Sequence, residues 1–207
     1  MSTYYSQGVR RRTVVNGSLG LLATVLAGSV AFRFTDLGPV REDSPEEVGT
    51  TDAAVDPATT RTPNGWPVLE AGGTRTVEAA GRSLMLRPGP AGLVLAAFVR
   101  RFHSEVEPVD RGTLDDWAYA RRAVRGASTV WSEHAAGTAV DLNATTHVRG
   151  RSGTFSRAGE RSVRRLLDDF DDVVGWGADF DTPDEMHFEI AVGPGSKRLE
   201  RLARQFA

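Results

Sequence analysis

Apolar residues recur at spacings of three and four in three segments of the chain, which is the period of one face of an α-helix. The segments are 91–105, the residues after Ser156 and the residues after Ser196. The apolar positions are Leu95, Phe98 and Phe102 in the first segment, Val163, Leu166, Leu167 and Phe170 in the second, and Leu199, Leu202, Ala203 and Phe206 in the third. This pattern predicts three amphipathic helices.

Segments with the pattern of β-strands lie between these helices. The clearest is 186–192, where apolar residues occupy every second position. Segments 138–143 and 173–176 are also predicted strands, and 68–69 with 82–86 are predicted to form a small β element broken by glycine and proline. Helices and strands without regular βαβ alternation favour an α+β fold. We expect the folded domain to span residues 66–207.

The most apolar stretch of the chain, 13–32, contains no charged residue and follows three arginines. A helix of this length is about 30 Å long, enough to cross a bilayer. Small residues at 29–31 also resemble a signal-peptide cleavage site. Residues 1–35 are therefore predicted to be a membrane anchor or a signal segment, and the alternative is a buried helix of the main domain. Either of the first two interpretations places the remaining chain outside the cytoplasm, anchored or secreted.

Residues 36–65 are predicted to form a flexible linker. This segment holds seven acidic residues and four of the ten prolines but no aromatic residue. Such a composition buries too little apolar surface to offset the entropy of an ordered chain. The linker would space the folded domain from the membrane.

Composition narrows the chemistry that the folded domain can perform. With 27 acidic and 25 basic residues the net charge is −2, so we expect no nucleic-acid partner. The absence of cysteine excludes disulfides, a thiolate metal site and a cysteine nucleophile. Any bound metal must be held by histidine and carboxylate side chains.

A dense polar motif contains His134 and Asp141. Two donors of one metal ion lie about 3–4 Å apart. Seven residues of strand would separate the two by about 23 Å, and seven residues of helix by about 10 Å. To share a metal, the segment must fold back on itself, and Gly137 permits such a bend.

A second motif contains Asp184 and His187, which lies opposite Met186 and Phe188 in the predicted strand. Two histidines and one carboxylate, namely His134, Asp141 and His187, are a complete protein ligand set for a catalytic zinc ion with an open position for water. Asp184 would take the proton of that water, which is the chemistry of amide hydrolysis. Taken singly, each residue is more commonly a surface, core or turn residue.

The spacing Ser-x-His-x2-Gly-x-Ala-x-Asp at 132–141, followed by Asp-x2-His-Phe-Glu at 184–189, resembles the D-alanyl-D-alanine carboxypeptidase family of zinc metallopeptidases. This family includes VanY-type enzymes and phage endolysins that cut between L-Ala and D-Glu. The resemblance extends over about 66–190 and is strongest from 119 to 189. It implies a fold like that of hedgehog and DD-peptidases, in which a small antiparallel sheet with flanking helices holds one zinc ion.

The resemblance implies that His134, Asp141 and His187 are the zinc ligands and that Asp184 is the general base. Glu185 is adjacent and is the alternative base. The resemblance further implies that Ser132 orients the site by hydrogen bonding, within a substrate-binding group that also includes the two arginines considered next.

Arginine binds carboxylates and oxyanions through two parallel hydrogen bonds. Arg122 is the first candidate for this role and Arg125 the second, and the alternative for both is a solvated surface residue. The remaining histidines, His103 and His147, are expected to be structural or exposed. The tryptophans at 117, 131 and 176 are expected in the core or in a pocket wall.

Together these observations predict an extracytoplasmic zinc peptidase that hydrolyses peptidoglycan stem peptides. The bond cut is either D-Ala–D-Ala, as in a carboxypeptidase, or L-Ala–D-Glu, as in an endopeptidase. Its expected partners are the stem peptide and, through residues 1–35, the membrane. The alternative is a binding module that keeps the peptidase fold without turnover, and a lysis protein would share the same chemistry.

Overall fold

The computed structural model describes residues 60–109 and 114–207. The predicted anchor or signal segment and most of the predicted linker lie outside the described residues. None of the helices in the described ranges has the length and apolar character needed to span a bilayer.

The described residues form three α-helices at the predicted positions: α1 (Pro90–Glu105), α2 (Arg157–Asp169) and α3 (Lys197–Ala203). Proline at the first turn of α1 suits a position whose N–H has no partner within the helix. Serine side chains cap the other two helices, because the hydroxyl oxygens of Ser156 and Ser196 accept hydrogen bonds from Gly159 N and Leu199 N. The three predicted helices are confirmed.

A hairpin precedes α1 and is formed by β1 (Arg75–Ala79) and β2 (Arg82–Leu86). The strand 82–86 was predicted, whereas β1 was not, because its first two residues are exposed and its apolar pattern is short. The prediction of a strand at 68–69 was wrong. Leu69 N instead donates to Ala135 O at 2.9 Å, so this segment lies against the loop that carries His134.

A second pair is formed by β3 (Ala123–Val124) and β4 (Ala127–Trp131). The third sheet has the antiparallel order β5 (Ala139–Asp141), β7 (His187–Ile190), β6 (Val174–Trp176). These three strands were predicted, and each is shorter than its predicted segment. Small antiparallel sheets together with three helices make a mixed α and β fold, as expected.

The core lies between the helices and the third sheet. Phe98 and Phe102 of α1 contact Phe188 of β7, with ring centroids 4.9 and 5.4 Å apart. Because side chains alternate along a strand, Phe188 packs on α1 while His187 and Glu189 face the other side of the sheet. The core thereby fixes the strand that carries one of the site histidines.

The folded part begins before residue 66, the predicted boundary. Val68 N donates to Thr60 O, and an isolated antiparallel bridge joins Arg61 to Pro67. The side chain of Asn64 bonds to Glu189 and to the carbonyl of Ile190 in β7. Residues 60–65 were assigned to the linker because they are polar and contain proline, yet the Asn64 side chain bonds to the sheet.

Candidate metal centre

Strand pairing brings Asp141 and His187 together. They are direct partners in the antiparallel register of β5 and β7. Directly opposed residues have Cβ atoms about 5 Å apart, within reach of side chains on one face. Asp141 Oδ1 consequently lies 2.9 Å from His187 Nδ1.

A tight bend brings His134 back to the same point. His134 lies on a short 3₁₀ helix, Glu133–Ala136, which ends at Gly137 with φ of 65°. That left-handed conformation favours glycine, and a Cβ at Gly137 would lie only 2.8 Å from the backbone nitrogen of Arg87. The predicted fold-back at this glycine is confirmed.

Three donor atoms converge in the buried interior of this site: His134 Nε2, Asp141 Oδ1 and His187 Nδ1. His134 Nε2 lies 3.1 Å from each of the other two. Donors about 2.0–2.2 Å from one ion have separations of this order. All three side chains are buried, and they form a group that could hold a metal ion. The residues therefore fit the metal that the sequence predicts.

The remaining ring nitrogens have acceptor partners that set the tautomers. His134 Nδ1 donates to the carbonyl of Ala118. His187 Nε2 lies 2.9 Å from Glu189 Oε2, and a carboxylate can only accept, so this nitrogen carries the hydrogen. The opposite nitrogen of each ring is therefore left to face a metal, the arrangement that orients histidine ligands in metal sites.

Asp141 also has a partner on its second oxygen. Trp117 Nε1 donates to Asp141 Oδ2 at 2.8 Å. From the sequence, Trp117 was expected in the core or a pocket wall, and no role was expected for Glu189. Glu189 is part of the second motif and Trp117 lies within the stretch 66–190 that resembles the family, but neither pattern indicated a contact with Asp141 or His187.

The electrostatics of these side chains follow from their packing. Burial raises the pKa of Asp141, but the neighbouring His134 and His187 outweigh it and hold that pKa well below its ordinary range. Burial lowers the pKa of His187, whereas its bonds to Asp141 and Glu189 raise it to about 10. The carboxylates thus favour positive charge at the point where the donors meet, as a cation site requires.

Asp184 lies beside this group, immediately before β7. Its Oδ2 lies 3.4 Å from Arg149 Nε, and its buried Oδ1 has no hydrogen-bond partner among the described residues. Burial and the Asp141 carboxylate raise the pKa of Asp184 against the effect of His187. A buried carboxylate oxygen without a donor is suited to accept a proton.

Gly177 allows this approach of Asp184 to the site. The backbone nitrogen of Asp184 donates to Gly177 O at 2.9 Å. A Cβ at Gly177 would lie 2.3 Å from Asp184 O and 3.1 Å from His187 Cβ. Glycine is therefore required here by space.

Glu185 does not take the position that the alternative prediction gave it. Its carboxylate accepts hydrogen bonds from Gly153 N and Thr154 N at 2.6 and 2.8 Å, and from the Thr154 hydroxyl. Burial raises the pKa of Glu185, but these bonds lower it overall. Both carboxylate oxygens hold the loop at 153–154, so Glu185 anchors this loop, whereas Asp184 Oδ1 has no such partner among the described residues.

Arginine side chains border the site. Arg122 Nη2 lies 4.0 Å from Asp141 Oδ2, and the side chain is 30% exposed. Arg125 is exposed, and its carbonyl accepts a hydrogen bond from Arg149 Nη2 at 3.3 Å. Burial lowers the pKa of Arg122, partly offset by Asp141. Arg149, which pairs with Asp184, was not predicted as a site residue, because nothing in its local sequence pattern relates it to Asp184.

Ser132 caps the short helix that carries His134. Its hydroxyl oxygen accepts a hydrogen bond from His134 N at 3.3 Å, and the residue is buried. The cap fixes the backbone of His134, in line with the orienting role that the resemblance implies.

The other predicted histidines and tryptophans have structural positions. His147 is buried, stacks on Phe155 at 3.6 Å and lies 2.7 Å from Glu107 Oε1. His103 is exposed, and its Nδ1 accepts from Val109 N. Trp131 and Trp176 are buried, whereas Trp117 is 39% exposed beside Asp141.

A buried pair of histidines with one aspartate, bordered by a second carboxylate, defines a candidate metallohydrolase site. Residues 125–190 match the family model of D-alanyl-D-alanine carboxypeptidase. The predicted resemblance to VanY-type members of this family is thereby confirmed, and the match indicates a hydrolase, a peptidase acting on cell-wall peptides in general. Neither the curated proteins nor the solved structures gave a match to the chain.

Proposed function

We propose that this protein is a zinc-dependent peptidase, with the fold of hedgehog and DD-peptidases, that hydrolyses peptide bonds in peptidoglycan stem peptides. The observation that carries the proposal is the set of donor atoms of His134, Asp141 and His187, which lie 2.9–3.1 Å apart. Zinc accepts two imidazoles and one carboxylate with an open fourth position. No thiolate competes for the site, because the chain has no cysteine.

Zinc bound by these residues would supply a Lewis acid that polarises the scissile carbonyl and acidifies water. The chain's own residues supply the proton transfer. Asp184 accepts the proton of the attacking water at its unpartnered oxygen and returns it to the leaving nitrogen. Glu189 and the Ala118 carbonyl keep the two histidines in the orientation that faces the metal.

The arginines suit a substrate carboxylate close to the scissile bond. In D-Ala–D-Ala the residue after that bond carries the terminal carboxylate. In L-Ala–D-Glu, the D-Glu is linked onward through its γ-carboxyl, so its α-carboxylate occupies the corresponding place. Arg122, supported by Arg125 and Arg149, is the group that binds this carboxylate or the oxyanion of the reaction.

The proposed location is extracytoplasmic, by way of the apolar segment within residues 1–35. The positively charged residues before this segment would stay in the cytoplasm. The segment would either anchor the protein or direct its secretion, and the predicted linker would let the domain reach nascent wall near the membrane.

Mass spectrometry of muropeptides digested by the full-length protein with added zinc tests the proposal. Loss of one alanine identifies a carboxypeptidase, and separation of the stem from the glycan strand identifies an L-Ala–D-Glu endopeptidase. Muropeptides that bind but stay intact would favour the alternative of a non-catalytic cell-wall peptide-binding module and would contradict the proposed hydrolysis.

A further inference from the structure

Asn64 lies in a segment, residues 60–66, outside the stretch that matches the peptidase family. Its side-chain Nδ2 donates to Glu189 Oε1 at 2.9 Å and to Ile190 O at 3.0 Å. Its backbone N–H donates to Glu133 Oε1 at 2.9 Å. One residue thus binds two carboxylates that are 125 and 69 positions away in the sequence.

Each of these carboxylates stands next to a proposed metal ligand. Glu189 uses its second oxygen to accept from His187 Nε2 at 2.9 Å. Glu133 directly precedes His134, and its second oxygen accepts from Thr138 Oγ1 at 2.7 Å. Glu133 and Glu189 are only 2% and 4% exposed. Little water is therefore available to hold either group in place.

Two buried carboxylates near one another repel, and each needs hydrogen-bond donors to replace the water it has lost. Asn64 supplies such donors, a main-chain N–H for one carboxylate and a side-chain amide for the other. Trp66 Nε1 donates to Val192 O at 2.9 Å, so the segment is also fixed just beyond the end of β7.

We propose that Asn64 is a positioning residue of the metal centre. Asn64 holds the Glu189 carboxylate in the position where it accepts a hydrogen bond from His187 Nε2. That bond orients the ring so that His187 Nδ1 points at the metal. Asn64 in this case supports the metal centre from outside the stretch that matches the family. The inference rests on the proposed metal-binding function of the site.

The test compares two changes in the same segment of the full chain. Asn64→Ala removes both side-chain bonds without adding charge, and Asn64→Asp keeps the shape while placing a third carboxylate beside Glu189. Trp66→Phe is the matched control, because it removes the bond to Val192 and keeps the ring. Zinc affinity is measured by chelator competition, and site geometry by the visible absorption of the Co²⁺-substituted protein.

We expect both Asn64 variants to bind zinc about 10- to 100-fold more weakly, the range typical of lost outer-shell partners, and to alter the Co²⁺ spectrum. Trp66→Phe should leave both properties near those of the unmodified chain. In the double variant with Asn64→Asp and Glu189→Gln, the amide donor and the carboxylate acceptor exchange positions. The Co²⁺ spectrum of this variant should shift back toward that of the unmodified protein. If Asn64→Asp does not fold, Asn64→Ala, which adds no charge, still decides the question.

Unchanged zinc affinity in Asn64→Ala, or an equal loss in Trp66→Phe, would overturn the positioning role while the unmodified protein still binds zinc and hydrolyses muropeptides. Failure of the unmodified protein to bind any metal would instead overturn the proposed function, and the inference with it.

Discussion

Trp117 and Asp141 are joined by three hydrogen bonds. The indole Nε1 donates to Asp141 Oδ2 at 2.8 Å, and the two backbones form an antiparallel bridge with N–O distances of 2.8 and 3.1 Å. The other oxygen of Asp141 faces both histidines. Trp117 therefore fixes the Asp141 carboxylate through Oδ2, and Oδ1 points to the place where a metal would bind.

Replacing Trp117 with phenylalanine should weaken zinc binding by about 10- to 100-fold, because the ring stays but its hydrogen bond to the ligand is lost. Thermal stability of the metal-free protein should also fall, because one oxygen of the buried Asp141 carboxylate loses its donor. Chelator competition and a melting curve measure the two effects. Zinc affinity equal to that of the unmodified protein would contradict a role for this bond.

Asp184→Asn should lower the rate of muropeptide hydrolysis by a factor on the order of 10² to 10⁴, the usual contribution of a general base. Zinc binding should persist, because the amide leaves the three donor residues unchanged. Rate and bound zinc are measured on the same preparation.

The control for this change is Glu185→Gln. Because Glu185 holds the loop at 153–154, this variant should keep its turnover and lose about 1–3 kcal/mol of unfolding free energy. Turnover that survives Asp184→Asn but not Glu185→Gln would move the base role to Glu185.

Arg122→Gln should reduce kcat/KM about 10- to 100-fold for a stem peptide with a free carboxylate after the scissile bond, because a charge-assisted hydrogen bond is lost. An otherwise identical peptide with that carboxylate amidated should be much less affected. Arg121→Gln is the neighbouring control, since Arg121 pairs with Glu70 and is largely exposed. Equal losses for both peptides would speak against carboxylate binding by Arg122.

Glu133 should make the free energy of unfolding depend on pH. Burial and the Glu189 carboxylate raise the pKa of Glu133 from 4.5 to about 7. Between these values the folded protein retains a proton that the unfolded chain releases, so the contribution of Glu133 to stability falls as pH rises and is level above about 7. The change over this range is on the order of 3 kcal/mol.

Glu133→Gln should therefore reduce the stability difference between pH 5 and pH 8, measured by chemical denaturation of the metal-free protein. The Thr138 hydroxyl can still donate to the Glu133 backbone carbonyl, which lies 3.1 Å away. Glu160→Gln on the exposed face of α2 is the control. A pH dependence that is the same in Glu133→Gln and in the unmodified protein would refute the assignment.

Local signals in the sequence were sufficient for much of this fold. The apolar stripes and the serines at 156 and 196 specified the helices, because periodicity and capping depend on neighbours within one turn. Strand β1 was not predicted, since only its last residue is buried. The order in segment 60–65 was not predicted for a related reason. Its contacts are with residues of β7, and its own side-chain pattern gives no sign of them.

The sequence alone determined the types and spacing of His134, Asp141, His187 and Asp184, and the glycine that lets the chain turn between the first two. Only the tertiary structure decided that Trp117 contacts Asp141 and Glu189 contacts His187, that Asn64 contacts Glu189, that Arg149 meets Asp184 and that Glu185 turns to another loop. Ligand chemistry and bends are encoded within a few residues, whereas these contacts arise from strand register and from packing between segments far apart in the chain.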